Sequence, residues 1–258
     1  MSYHRIADRL ERREEKLLRG GGLPGLSAGG LEEKIPPAVR QGLETAFQKA
    51  FALLLGPGGT GVLKRTYGKK KLEEAQRLWS EGLSPGEARR TLRRMERQGA
   101  AARAAEVWAA GVEGTALGLL GIGLPDIPLF LGLLLRSLYQ SAARYGFSPE
   151  SPEERAYLLL VLQTALAQGE ERRALSRRAD QLGRALDHGW PVSAGLEEET
   201  RAAAALLSRR LLVLKFVQGI PLAGAVGGPA NLLLSREVSR WGAMKYRKRF
   251  LEKKVRGL

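Results

Sequence analysis

Apolar residues recur at intervals of three and four along most of the chain, and alternating runs are absent, so the pattern predicts helices throughout. Abundant Ala, Leu, Arg and Glu and scarce Val, Ile and Thr point the same way. Residues 2–19, charged almost throughout, predict a first helix with modest packing. The glycine-rich run Gly20–Gly30 breaks it. A second helix begins near Leu31 or Pro37 and runs to Leu55, with Val39, Leu43, Phe47, Phe51 and Leu54 on one face, until Gly56-Pro57-Gly58-Gly59 stops it. A third covers roughly 69–81. Ser84-Pro85-Gly86-Glu87 then sets a capping serine, a first-turn proline and an acid at the third position, the start of a helix reaching to about Gly111. On it Leu92, Met95, Ala102, Val107 and Trp108 turn inward. Ser151-Pro152-Glu153-Glu154 repeats that signal for a helix to about Gln168. Further helices cover about 170–188, ending at Gly189-Trp190-Pro191, then about 196–218 and 229–254.

Two stretches stand apart. From Thr115 to Leu135 the one charge is Asp126. A continuous helix of that length would reach about 31 Å, enough to span a bilayer. Pro125 and Pro128 flank Asp126, however, and proline removes a donor and disfavours helix before it. The stretch therefore reads as a helix ending near Ile122, a turn, and a new helix with Asp126 as N-cap, an apolar hairpin carrying Leu120 and Leu131. Leu211–Leu234 behaves alike, with Lys215 as its one charge and a break at Gly219-Ile220-Pro221 and Gly224–Pro229. Asn231 bridges helices there or stabilises the turn. The small residues suit close helix packing, in lipid or in a tight protein core.

The resulting fold class is all-α, a multi-helix domain with two Gly/Pro-broken apolar helical hairpins at its centre. Residues 1–30 form a charged helix and linker; residues 31–258 form a single domain.

Charge adds a working environment. Lys and Arg outnumber Asp and Glu 42 to 27, a net charge of +15, which attracts anionic lipid headgroups or nucleic acid. The last helix carries Arg240, Lys245, Arg247, Lys248, Arg249, Lys253 and Lys254 interleaved with Trp241, Tyr246 and Phe250, an amphipathic basic helix with interfacial aromatics. Lys64, Arg65, Lys69, Lys70 and Lys71 make a second cluster, and Arg89, Arg90, Arg93, Arg94 and Arg97 a third. Phosphates of RNA or DNA would also suit these clusters, but no nucleic-acid module is visible. The basic residues adjoin the apolar stretches, so a membrane surface is favoured. The first 19 residues hold no apolar signal region, which leads to the expectation of a cytoplasmic, peripherally membrane-associated protein.

Groups with catalytic chemistry are few. The chain has no cysteine, which excludes thiolate catalysis and Cys-ligated metal. Its two histidines, His4 and His188, stand in a terminal helix and before a helix-ending glycine. HExxH, GxSxG and Walker A patterns are missing, and the glycines at 118, 121 and 123 lack the dinucleotide setting. No catalytic residue, metal ligand or cofactor is expected.

In order and spacing, Gly121-Ile122-Gly123-Leu124-Pro125-Asp126-Ile127-Pro128, Leu135-Arg136-Ser137-Leu138-Tyr139 and the run Tyr145–Arg155 resemble the bacterial EcsC family. So do Ile220–Asn231, Arg236-Glu237-Val238 and Tyr246–Phe250. The similarity covers roughly residues 31–254; the charged N-terminal arm and the Arg-rich helix around 89–97 have no counterpart in it. The family's namesake is encoded beside the subunits of an ABC exporter and its molecular role is unsettled, so the resemblance implies an envelope connection, ABC transporter subunits as partners, and no catalytic residues. The leading expectation is a non-enzymatic, membrane-associated protein. A soluble helical adaptor or nucleic-acid-binding protein with the hairpins as core, and a hydrolase with an unrecognised site, stay open beside it.

Overall fold

A computed structural model of the protein describes residues 3–20, 35–56, 69–80, 84, 86–88, 90–95, 126–192, 195–217 and 229–256. Among these residues the regular structure is helical and strands are absent. We number the longer helices α1 (Tyr3–Arg19), α2 (Pro37–Leu55), α3 (Lys69–Ser80), α4 (Asp126–Arg144), α5 (Pro152–Leu166), α6 (Gly169–His188), α7 (Leu196–Val217) and α8 (Pro229–Arg256). The fold is all-α, as the periodicity predicts.

Local signals set several ends. The Ser151 hydroxyl accepts the Glu154 N–H at 3.1 Å, with Pro152 in the first turn of α5. Ser84 and Glu87 close a reciprocal capping box, the Glu87 carboxylate accepting from the Ser84 N–H at 3.0 Å. Gly189 ends α6 in the left-handed region, φ +66°, where a side chain would be strained.

Helix α5 is the axis of the core. Every side chain from Ala156 to Leu166 is buried, with α6, α7 and α8 packed around it. On its other side α8 packs along α4, and the crossing is close at Gly242, where an added Cβ would stand 2.8 Å from Leu138 Cδ2. Helix α2 lies across α7 and α4 through Phe47 and Phe51, both fully buried. Helix α1 lies over α8 and α6, and α3 on α4. Two buried arginines finish the C-terminus of α5. Arg172 Nε donates to the Ala167 carbonyl and Arg210 Nε to that of Leu166, each at 2.6 Å, supplying donors and positive charge where the helix leaves carbonyls unpaired.

Side-chain pairs fix the directions. Tyr246 meets Phe147 and Phe250 meets Tyr145, so α8 and α4 end together. Lys245 meets Asp180 and Arg249 meets Asp187, so α6 runs with α8. Arg209 meets Glu171 while Arg178 meets Glu199, so α7 runs opposite to α6. The starts of α4 and α8 and the end of α7 therefore lie at one end of the bundle.

That arrangement tests the hairpin reading in part. A helix does begin at Asp126 with Pro128 in its first turn, and α7 and α8 stop and start on either side of 218–228. Leu120, Pro125, Ile220 and Pro221 lie outside the described residues, as does the part beyond Met95 of the helix predicted from Ser84 to about Gly111. Among the described residues the two arms of the second stretch hardly pack on each other: α7 packs on α5 and α2, and α8 on α4 and α5. Leu131 is fully buried in the core and Asn231 is buried in the first turns of α8, while Leu129 is 44% exposed.

Candidate functional site

The basic residues of α8 do not form one solvent-facing stripe. Lys245 is fully buried, its Nζ 2.5 Å from Glu14 Oε1 and 2.6 Å from Asp180 Oδ1. Lys248 reaches the other oxygens of the same carboxylates, at 2.6 Å from Glu14 Oε2 and 2.7 Å from Asp180 Oδ2. Two ammonium groups and two carboxylates thus alternate around a square, and Ser176 donates its hydroxyl to Glu14 at 2.9 Å. Burial alone raises the Glu14 carboxyl pKa, but the charges and hydrogen bonds of Lys245 and Lys248 outweigh it and hold it at about 2. For Lys248 burial works downward, and Asp180 and Glu14 keep the ammonium above the usual lysine range.

Arg249 is 5% exposed and fully engaged. Its guanidinium makes a bidentate pair with Glu154 at 2.7 and 2.8 Å and another with Asp187 at 3.0 Å, lying between the rings of Phe147 and Tyr157 at 4.3 and 4.7 Å. Gly183 leaves room for this stack, since a Cβ there would stand 3.2 Å from Arg249 Cδ.

These contacts correct the expected membrane-contact set. Lys245 and Arg249 are interior charges, and Lys248 is shared between two carboxylates. Trp241, Tyr246 and Phe250, expected at an interface, are core residues at 0%, 0% and 3% exposure. The physical reason is the position of α8, which packs against α4, α5, α1 and α6, so side chains on most of its faces meet protein. A cation in such a place needs a carboxylate partner. Lys254 is half-buried and donates to the Trp79 carbonyl at the end of α3. Arg247 and Lys253 are half-buried. Arg240 is exposed beside Glu237, at 3.3 Å, and Arg236 is exposed one turn earlier. Lys69, Lys70 and Lys71 open α3, and their side chains lie outside the described residues.

Sequence reasoning missed the acidic partners, Glu14, Glu154, Asp180 and Asp187. One signal was available: Ile6, Leu10 and Glu14 recur every fourth residue, which puts Glu14 on the apolar stripe of α1.

Two clefts accompany these elements. One of about 600 Å³ lies between α2 and α7 and is lined by Arg40, Glu44, Gln48 and Arg209 among others. Another of about 470 Å³ runs beside α1 from Asp8 to Leu18 and touches Lys248. Among the described residues no group of three histidines or carboxylates is placed to hold a metal ion.

The end of the bundle where α4 and α8 begin and α7 ends has a different character. Leu129 is exposed, and Leu133, Leu232 and Leu233 are half-buried. Arg236 and Arg240 stand exposed along the first half of α8, and Arg40, beside Arg209 in the first cleft, is exposed near the start of α2. The sequences leading into and out of it, 115–125 and 218–228, carry no charged residue. No described helix is long and apolar enough to cross a membrane.

No solved structure matches the chain. It is similar to the uncharacterized protein YdbA of Bacillus subtilis (strain 168), 28% identical over 144 residues, or 55% of this chain and 52% of that protein. It is also similar to protein EcsC of the same organism, 34% identical over 70 residues, or 27% of this chain and 30% of that protein. The chain thus spans about half the length, or less, of the curated relatives it matches. The model of the EcsC protein family covers residues 26–251, from before α2 to within α8, and the chain belongs to that family.

Proposed function

We propose that this is a non-enzymatic protein that attaches peripherally to the cytoplasmic face of an anionic membrane, through the end of the bundle at which α4 and α8 begin and α7 ends. The observation that carries this reading is a convergence. Both charge-free stretches of the sequence are rooted at that one end, where Leu129 is already exposed, and Arg236 and Arg240 stand exposed on the first half of α8. A shallow apolar contact with arginines to its side suits an interface between acyl chains and anionic headgroups, each nearby cation adding about 1 kcal/mol. Attachment of this kind would set the chain beside integral membrane proteins, among which ABC transporter subunits are the partners the family resemblance suggests.

The contact residues differ from those that patterning along α8 suggests. Lys245, Lys248 and Arg249 are spent inside the protein, so surface charge rests on exposed arginines. The test is sedimentation of the full chain with phosphatidylglycerol vesicles and with phosphatidylcholine vesicles, at low and high salt. Binding to the anionic vesicles that weakens with salt and falls severalfold in the double variant Arg236→Ser, Arg240→Ser supports it. A chain that stays in the supernatant with every vesicle overturns it.

A further inference from the structure

Helix α1 lies apart from the rest of the protein in three respects. The family match begins only at residue 26, beyond α1. The stretch joining α1 to α2 is rich in glycine, with six in Gly20–Gly30. Its two faces are also sharply divided. Ile6 and Leu10 are buried against the domain, and Tyr3, Ala7, Leu17 and Leu18 pack partly on it, while on the exposed face Arg5, Arg9, Arg12, Arg13, Lys16 and Arg19 outnumber Asp8, Glu11 and Glu15. A helix with a narrow apolar stripe, a cationic opposite face and low overall hydrophobicity has the composition of one that lies in a membrane interface. Here the apolar stripe is covered by the protein itself, and one polar group is inserted with it: Glu14, which reaches Lys245 and Lys248.

We infer that α1 is a stored membrane-binding helix, held on α8 and α6 by Glu14 and released onto an anionic bilayer, where its apolar stripe exchanges protein for lipid. This inference rests on the membrane reading above and deepens it by naming a second, releasable contact. Geometry permits the exchange. The fourteen residues between Gly20 and Ile35 span up to about 45–50 Å when extended, so α1 can reach a surface while α2 stays in the bundle. Energetics set its direction. Among the described residues Arg5, Arg9, Arg12 and Lys16 form no ion pair with the domain that release would break, and they gain headgroup attraction in the released state. Glu14 favours storage, because leaving it takes a carboxylate from two lysines of the domain. A bilayer poor in anionic lipid leaves α1 stored, and one rich in it draws the helix out.

The chain has no cysteine, so single labels are unambiguous. In the full chain carrying Asp8→Cys, an exposed site, a fluorophore should be quenched by vesicles of phosphatidylglycerol brominated in its acyl chains and unaffected by those of brominated phosphatidylcholine. The triple variant Arg5→Ser, Arg9→Ser, Arg12→Ser changes only exposed positions, and removing three interfacial charges should weaken binding roughly a hundredfold. Glu14→Gln loosens the stored state and should raise vesicle affinity severalfold; the label and the triple variant carry the test if that protein does not fold. A protein that binds anionic vesicles with the label unquenched, and whose triple variant binds like the parent, overturns the role of α1 and leaves the bundle-end attachment standing. Failure of the parent chain to bind any vesicle overturns both.

Discussion

Replacing Arg249 by Met removes the most heavily connected cation among the described residues while keeping an unbranched side chain. Four charge-assisted hydrogen bonds of 2.7–3.0 Å are lost at once, together with two ring contacts. More costly is what remains, because Glu154 and Asp187, with side chains 19% and 8% exposed, are left facing each other without the guanidinium. Breaking a buried pair by removing one partner costs about 3–5 kcal/mol, since the surviving charge is stranded. For a domain of this size that corresponds to a fall in Tm of roughly 6–20 °C. The control is Arg240→Met on the same helix, an exposed cation paired at 3.3 Å with Glu237, whose loss should change stability by less than about 1 kcal/mol. Both variants are compared with the parent by thermal and urea unfolding followed by circular dichroism. If Arg249→Met melts within about 2 °C of the parent, or the two variants are equally affected, the division of α8 into interior and surface cations is wrong.

Other outcomes follow from the same structure. Glu14 is held at about 2, below its unfolded value of 4.5, so it stabilises the fold by about 3 kcal/mol above pH 4.5 and loses that contribution as pH falls towards 2. The stability gap between the parent and Glu14→Gln, measured by urea unfolding, should accordingly be constant from pH 8 to 5 and close below; a gap that widens on acidification would contradict the ion-pair square. Leu131→Asp places a carboxylate at a fully buried position of α4 and should destabilise by about 4 kcal/mol or more, leaving little soluble folded protein on expression. Gly242→Val forces atoms into the α4–α8 crossing, where even a Cβ meets Leu138 at 2.8 Å, and should cost about 1–3 kcal/mol in urea unfolding.

Features settled within a few residues of one another were legible in the sequence. The serine caps at Ser84 and Ser151, the glycine stop at Gly189 and the proline-led starts of α5 and α8 all appear where patterning puts them. The features that misled depend on distant partners. Nothing near Lys245 announces that Glu14 and Asp180 will meet it, and nothing near Arg249 announces Glu154 and Asp187. With aromatic and basic residues interleaved, α8 reads as an interfacial helix until it is seen packed against α4, α5, α1 and α6, at which point Trp241 and Tyr246 become core. Leu131 shows the same limit, since an apolar stripe is written alike for lipid and for protein. The convergence of the two charge-free stretches is likewise a property of topology.

That convergence can be tested at the bilayer itself. Single cysteines replace Leu129, at the end where α4 begins, and Glu150, exposed in the turn between α4 and α5 at the opposite end, and each carries the same fluorophore. On phosphatidylglycerol vesicles with brominated acyl chains, the label at 129 should be quenched and the label at 150 should remain as bright as in buffer. Quenching at 150, or none at 129 while the protein is bound, would contradict attachment through that end.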